Sequence, residues 1–257
     1  MKRFLLILTL ISSPLIFSQT PEERGLEIAQ LMKKASEGFV SDSSEMEMIL
    51  IDSYGTRVSR KMKGTSMEGE KNEDRAITEF LSPADVKGTK LLTHSHQGED
   101  DDQWLFLPAM KRKKRISGGA KSSSFMGSEF SYEDLGSQDI DKFNFKFIAD
   151  EPIKGGKAWR VERISKKKSG YSKQVMVVHQ DYLAPTTIEY YDRRGGLLKV
   201  AEFSEWKQMK VGDKSFWKSG YVHVKNIQTK KESIFKWEKR ELGKKLDESL
   251  FSPGALK

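Results

Sequence analysis

The chain has no cysteine among its 257 residues. That excludes a disulfide framework and removes the residue on which a bacterial lipoprotein would carry its acyl anchor. It has one extended apolar run, at the very start, where Lys2 and Arg3 precede Phe4 to Ile11 and the stretch to Phe17 is broken by Ser12, Ser13 and Pro14. Such a run is shorter than the roughly 20 residues that cross a bilayer as a helix. Its order of basic, apolar and small residues is that of a secretory signal peptide. The expected organisation is a signal peptide at residues 1–18 and a single domain at 19–257. An exported protein without disulfides depends on its apolar core, and a chain of this length can build one. The periplasm is the expected compartment, without a lipid anchor.

Catalytic vocabulary is also scarce. Of four histidines, His179 and His223 fall inside strand patterns, and no nucleophile elbow, phosphate-cradling loop or zinc-protease helix is present. The glycines at 118 and 119 lack the Lys-Ser/Thr and following helix of a phosphate loop. Glu133 and Asp134 are adjacent, so they point apart and suit a turn or a cap. His94 and His96 could share one face of a strand beside Glu99, Asp100, Asp101 and Asp102, but spacing fixes no third ligand, and a hydrated hairpin tip accounts for them. The expectation is a non-enzyme with no metal and no cofactor.

The balance of charge is basic, with 45 Lys+Arg against 37 Asp+Glu and a formal net charge of +8. Loss of Lys2 and Arg3 would leave it basic. Outside the cytoplasm the abundant polyanions are phospholipid headgroups and lipopolysaccharide, so a nucleic-acid partner is not expected and peripheral membrane contact is.

Periodicity predicts one helix, opened by Pro21 and Glu22, with Ile28, Leu31, Met32 and Ala35 on one face and an end at Glu37-Gly38. From residue 45 onward the pattern is period two. Runs such as EMEMILID (45–52), DRAITEFL (74–81), SKQVMVVHQ (172–180) and KESIFKWEKREL (231–242) alternate between turn residues. TKLLTHSH (89–96) and DQWLFLP (102–108) predict a hairpin across Gln97-Gly98. Roughly ten or eleven strands at steady spacing imply one large antiparallel sheet or open barrel. Apolar on one face and charged on the other, it must curl around a packed core or a cavity. One helix is little material to plug so wide a sheet, which favours a cavity. Phe143, Phe145 and Phe147 alternate with Asn144 and Lys146 and must share one face.

Residues 102–134, DQWLFLPAMKRKKRISGGAKSSSFMGSEFSYEDL, resemble the signature of the LolA-like family of outer-membrane lipoprotein-sorting proteins. The resemblance rests on Trp104, Leu107-Pro108, the basic set ending Arg115-Ile116-Ser117, then Phe125-Met126-Gly127-Ser128, Phe130 and Tyr132-Glu133-Asp134. It implies a mainly β fold, a curved antiparallel sheet forming an open half-barrel with an N-terminal helix and short capping helical segments. It also implies a non-catalytic envelope carrier without cofactor, whose apolar face holds the acyl chains of a lipid or lipoprotein. An inner-membrane transporter and an outer-membrane acceptor are the partners it suggests.

On this reading the apolar cavity or its lid would be formed by Trp104, Phe106, Phe125, Met126, Phe130, Phe143, Phe145 and Phe147. Gly118, Gly119 and Gly127 would let the loop carrying Phe125 and Met126 open and close. Lys111, Arg112, Lys113, Lys114 and Arg115 would meet headgroup phosphates or an acidic partner, with alternate residues on opposite faces of a strand. Against this stands a plainer reading, in which the basic residues guard a sheet edge and Phe125 and Met126 anchor the loop to the core. The alternative function is an interaction module with a filled core that docks a transporter or sensor through its basic face.

Overall fold

The computed structural model describes residues 19–257; the expected signal peptide lies outside the described residues. The helix α1 (Pro21–Ser36) begins where the sequence places it, because Thr20 caps it. The Thr20 hydroxyl accepts from Glu23 N at 3.2 Å and the Glu23 carboxylate accepts from Thr20 N at 2.8 Å, a reciprocal pair that satisfies two otherwise orphaned donors. Gly25 lets the helix lie directly on the sheet, since a Cβ there would stand 2.7 Å from Lys146 N.

Fifteen strands follow: β1 (Ser41–Ile51), β2 (Arg57–Met67), β3 (Arg75–Ser82), β4 (Lys90–His94), β5 (Asp102–Leu107), β6 (Arg112–Ile116), β7 (Phe143–Ile153), β8 (Gly156–Ser165), β9 (Tyr171–His179), β10 (Ala184–Asp192), β11 (Leu197–Ser204), β12 (Lys207–Val211), β13 (Lys214–Lys218), β14 (Tyr221–Asn226) and β15 (Glu232–Leu242). Thirteen of them form one antiparallel sheet in the order β6-β5-β4-β3-β2-β1-β15-β14-β11-β10-β9-β8-β7. The sheet does not close, and this is the open half-barrel that the family resemblance implies. The hairpin expected across Gln97-Gly98 is β4–β5, with His94 opposite Asp102.

The described residues hold fifteen strands where spacing implies roughly ten or eleven. Residues 197–211 hold two of them, β11 and β12, and 214–226 two more, β13 and β14, with β12–β13 forming a separate two-stranded sheet. The break is a tight turn: Glu205 takes φ +55°, and Gly220 N donates to the carbonyls of Ser204 and Glu205 at 3.1 Å. The basic residues 112–116 also form a strand of their own, β6, which is one edge of the sheet.

Because β6 and β7 are consecutive in the chain but occupy opposite edges, residues 117–142 must cross the molecule between them. They cross the inner face and supply much of its core. Phe125 is buried between Phe80 on β3 and Tyr132, with ring centroids 5.7 and 5.6 Å away, and Phe130 packs on Phe235 of β15 at 4.3 Å. Ile28 and Ala29 of α1 fill the other part of the same cluster, with Met48, Met62 and Met176. A second, smaller cluster lies on the outer face, where Phe251 and Leu256 of the C-terminal segment cover Leu92 and Phe106. Replacing Phe125 by Ala should cost about 3–5 kcal/mol, as for other buried Phe-to-Ala changes; chemical denaturation measures it, and a loss below 1 kcal/mol would mean that the crossing is not held by its core contacts.

Candidate functional site

The inner face is built of cross-strand rows, because opposed residues of neighbouring strands share a face. One row is apolar: Phe147, Val161, Met176, Ile188, Ala201 and Val224 run from β7 through β8, β9, β10 and β11 to β14. The adjacent row is Phe145, Arg163, Gln174, Tyr190, Lys199 and Asn226. An apolar floor thus lies beside a band that carries two cations.

Part of this floor is left uncovered between α1 and the crossing segment, and the space is a cavity of about 930 Å³. Met32, Ile140, Phe145, Met176, Ile188 and Phe203 give it apolar walls. Its polar lining is mixed. Glu68, Asp74 and Asp139 share it with Lys33, Arg163 and Lys218; Lys33 Nζ is 3.7 Å from Asp139, and Lys218 feels the charges of Glu68 and Asp74 at a distance. Burial raises the Asp74 carboxyl above its ordinary range, helped by the charges of Glu68, Asp139 and Glu37, although Gly69 N donates to it at 2.9 Å. Burial also lowers the Lys218 ammonium, which sits 4.7 Å over the Phe39 ring.

The crossing segment is tied to the floor by one buried ion pair. Lys199 Nζ contacts Asp134 Oδ2 at 2.5 Å and donates to Glu129 O at 2.7 Å, above the rings of Tyr171 and Tyr190. Asp134 also accepts from Tyr171 Oη at 2.8 Å and from Ser131 N at 2.7 Å. Burial, followed by the Asp134 charge, pushes the phenols of Tyr171 and Tyr190 well above their usual range, so both remain neutral.

The residues singled out in the sequence do not all meet here. Phe143, Phe145 and Phe147 do share the inner face, but only Phe145 lines this cavity. Trp104 and Phe106 do not: Gln103 and Leu105 take the inner positions of β5, and its alternate residues pack against the C-terminal segment. Phe125 and Phe130 are core residues rather than exposed covers, because the crossing places them against Phe80 and Phe235. Met126 is partly buried, and its carbonyl accepts from Arg60 Nη1 at 2.6 Å. Lys111 to Arg115 lie at the β5–β6 turn and along the edge strand, away from the cavity. Lys113 and Arg115 oppose Phe106 and Trp104 on the outer face, and Arg112 and Lys114 oppose Leu107 and Leu105 on the inner one. Sequence reasoning missed Arg163, Lys199 and Lys218. The signal for two of them is alternation, since Arg163 continues Trp159 and Val161, and Lys199 precedes Ala201 and Phe203 on an apolar register.

Comparison with known proteins agrees with this architecture. A Vibrio parahaemolyticus domain named for outer-membrane lipoprotein sorting is 41% identical, with 91% of this chain and 99% of its own covered and a TM-score of 0.87. The chain belongs to the family of this lipoprotein-sorting domain. A DUF1329 family protein from Desulfovibrio piger is 30% identical over 93% of this chain and 100% of its own, with a TM-score of 0.86. A LolA superfamily protein from Nitrosomonas europaea shares the fold at 15% identity, covering 90% of this chain and 98% of its own with a TM-score of 0.71. A family model described as "Uncharacterized protein" matches residues 72–257. No curated protein matches. The motif that carried the family resemblance, residues 102–134, thus corresponds to β5, the edge strand β6 and the crossing segment as far as Asp134.

Two outcomes test the electrostatics of the site. Lys199→Met leaves Asp134 buried without its cation and should cost about 3–5 kcal/mol in denaturant unfolding; the added change Asp134→Asn should recover part of it, and strictly additive losses would show that the two groups are not coupled. Asp74, with its pKa raised in the folded state, favours the fold below the ordinary carboxylate pKa, and that contribution is lost as pH rises through the raised value. Asp74→Asn should therefore gain stability relative to the parent at pH 7 but not at pH 3, and unfolding curves at the two pH values measure the difference.

Proposed function

We propose that the chain is a non-catalytic carrier of the bacterial envelope that shields acyl chains of a lipid or lipoprotein in the inner-face cavity. The observation that carries this is the cavity itself. At about 930 Å³ it falls at the upper end of the roughly 300–1,000 Å³ typical of small-molecule sites, and its floor is a continuous apolar row. Burial of an acyl chain contributes about 0.8 kcal/mol per methylene, so a long chain can bind without any catalytic group. The lipoprotein-sorting name of the Vibrio relative supports the same role, and with it a periplasmic location after removal of residues 1–18. The domain would then be residues 19–257.

The crossing segment bounds the cavity through residues 134–140. In the proposed cycle its far end, at Phe125 and Met126, stays anchored while the part near Ile140 and the facing loops adjust to cargo. The exposed cations of β6 face headgroups or a membrane-bound partner, such as an inner-membrane transporter or an outer-membrane acceptor.

Protein purified from the periplasm without detergent should carry a stoichiometric lipid or acylated peptide in native mass spectrometry. Delipidated protein should take one up, and Phe203→Asp, which places a charge on the cavity wall, should lower that uptake tenfold or more with an unchanged far-UV spectrum. A clean apo mass with no uptake of phospholipid or lipopeptide would overturn the carrier reading and favour a docking module.

A further inference from the structure

Among the described residues that are charged and fully buried, Arg163 alone has no ion pair: Lys199 has Asp134, Asp101 has Lys142, and Asp139 has Lys33. Arg163 is 6% exposed, yet no carboxylate lies within ion-pairing distance of it among the described residues. Its Nε and Nη2 donate to Gln174 Oε1 at 2.8 and 2.5 Å, and Nη2 also donates to Gln138 Oε1 at 2.6 Å. Its guanidinium lies 4.4 Å over the Phe143 ring. These are neutral partners, and they hold the fork in place without cancelling its charge. The carboxylates whose charge reaches it, Asp134 and Glu133, do so only at a distance: Asp134 is in contact with Lys199, and Glu133 accepts from Ser169 Oγ and Gly170 N. Nη1 has no acceptor among the described residues.

A full positive charge held in the interior by neutral groups is costly, and a protein keeps one where an anion completes it. Arg163 lines the cavity, in the row immediately beside the apolar floor of Val161, Met176 and Ile188. Its planar fork suits the paired oxygens of a carboxylate or phosphate. Lys218, on the same cavity, likewise has no carboxylate at ion-pairing distance among the described residues. Glu68 and Asp74 act on Lys218 and not on Arg163, and Asp139 has Lys33, so Arg163 is the better placed of the two cations to take an anion.

We propose that Arg163 is the headgroup-binding residue of the cavity and that the ligand it takes is a single-chain anionic amphiphile, a long-chain carboxylate or phosphate monoester whose tail lies along the apolar row. This rests on the reading of the cavity as an acyl-chain site and specifies the cargo: the anionic group is buried with the chain instead of remaining in water at the mouth.

The test is a calorimetric titration of the delipidated protein with hexadecanoate, hexadecyl phosphate and hexadecanol, repeated with Arg163→Gln and Arg163→Lys. One or both anions should bind the parent at least tenfold more tightly than the alcohol, as expected for charge-assisted hydrogen bonds to a buried guanidinium. Whichever anion is preferred identifies the carboxylate or the phosphate as the natural head. Arg163→Gln should abolish the preference while leaving the alcohol affinity within twofold, and Arg163→Lys should keep part of it. Equal binding of alcohol and anions by the parent, or a preference that survives in Arg163→Gln, would overturn the role of Arg163 and leave the cavity as an acyl site. Binding of none of the three would overturn the acyl site as well. Comparing acid with alcohol on the parent needs no variant, so a misfolded Arg163→Gln protein does not spare the proposal.

Discussion

A sheet that stays open has an inner face to cover and two edges that never meet, and the remainder of the structure answers to that constraint. The chain builds outward from β1 to β6, then resumes at the opposite edge with β7 and returns to β15 beside β1. The connection from β6 to β7 therefore has the whole inner face to cross, and it doubles as a core element: Phe125, Phe130 and Tyr132 point into the sheet from residues 117–142. A helix packed on β7 covers a further part. What neither covers is the cavity, so its position follows from the topology. Any ligand there touches the crossing segment, the helix and the floor together.

The crossing is located by charge as well as by packing. Burying the Lys199–Asp134 pair gains little stability, because desolvation of two ions offsets most of their attraction. Its effect is on register. Asp134 is held by Lys199, Tyr171 and the Ser131 amide, which fixes where residues 134–140 lie over the sheet and hence the wall of the cavity. Three places from Lys199 in the same row, past Tyr190 and Gln174, Arg163 has no such counter-ion, and that contrast within one row separates a structural charge from one available to a ligand.

How much of this can be seen in the sequence depends on whether the signal is local. The capped helix at Thr20, the β4–β5 hairpin and the shared face of Phe143, Phe145 and Phe147 all follow from spacing within a few residues, and the structure has them. Trp104 and Phe106 show where spacing stops helping. β5 is apolar on both faces, and which one looks inward is decided by the C-terminal segment 246–257, more than a hundred residues away, which packs on the outer one. Strand alternation does flag Arg163 and Lys199 as charges in apolar register. What it cannot show is that one meets Asp134 across the fold and the other meets only glutamines and a ring.

The basic run divides along the same line between inner and outer face. β6 is an edge strand with unpaired backbone groups along one side, and four exposed cations there oppose pairing with another chain. Its outer-face members are also engaged within the protein: Lys113 donates to Pro253 O of the C-terminal segment at 2.9 Å, and Arg115 pairs with Asp102. Arg112 and Lys114, on the inner side, and Lys111 in the turn make no ion pair among the described residues, so whatever anionic surface the run meets, these three are the ones free to meet it. A run that looks uniform in sequence thus has two faces, one engaged with β5 and the C-terminal segment and one without an ion pair among the described residues.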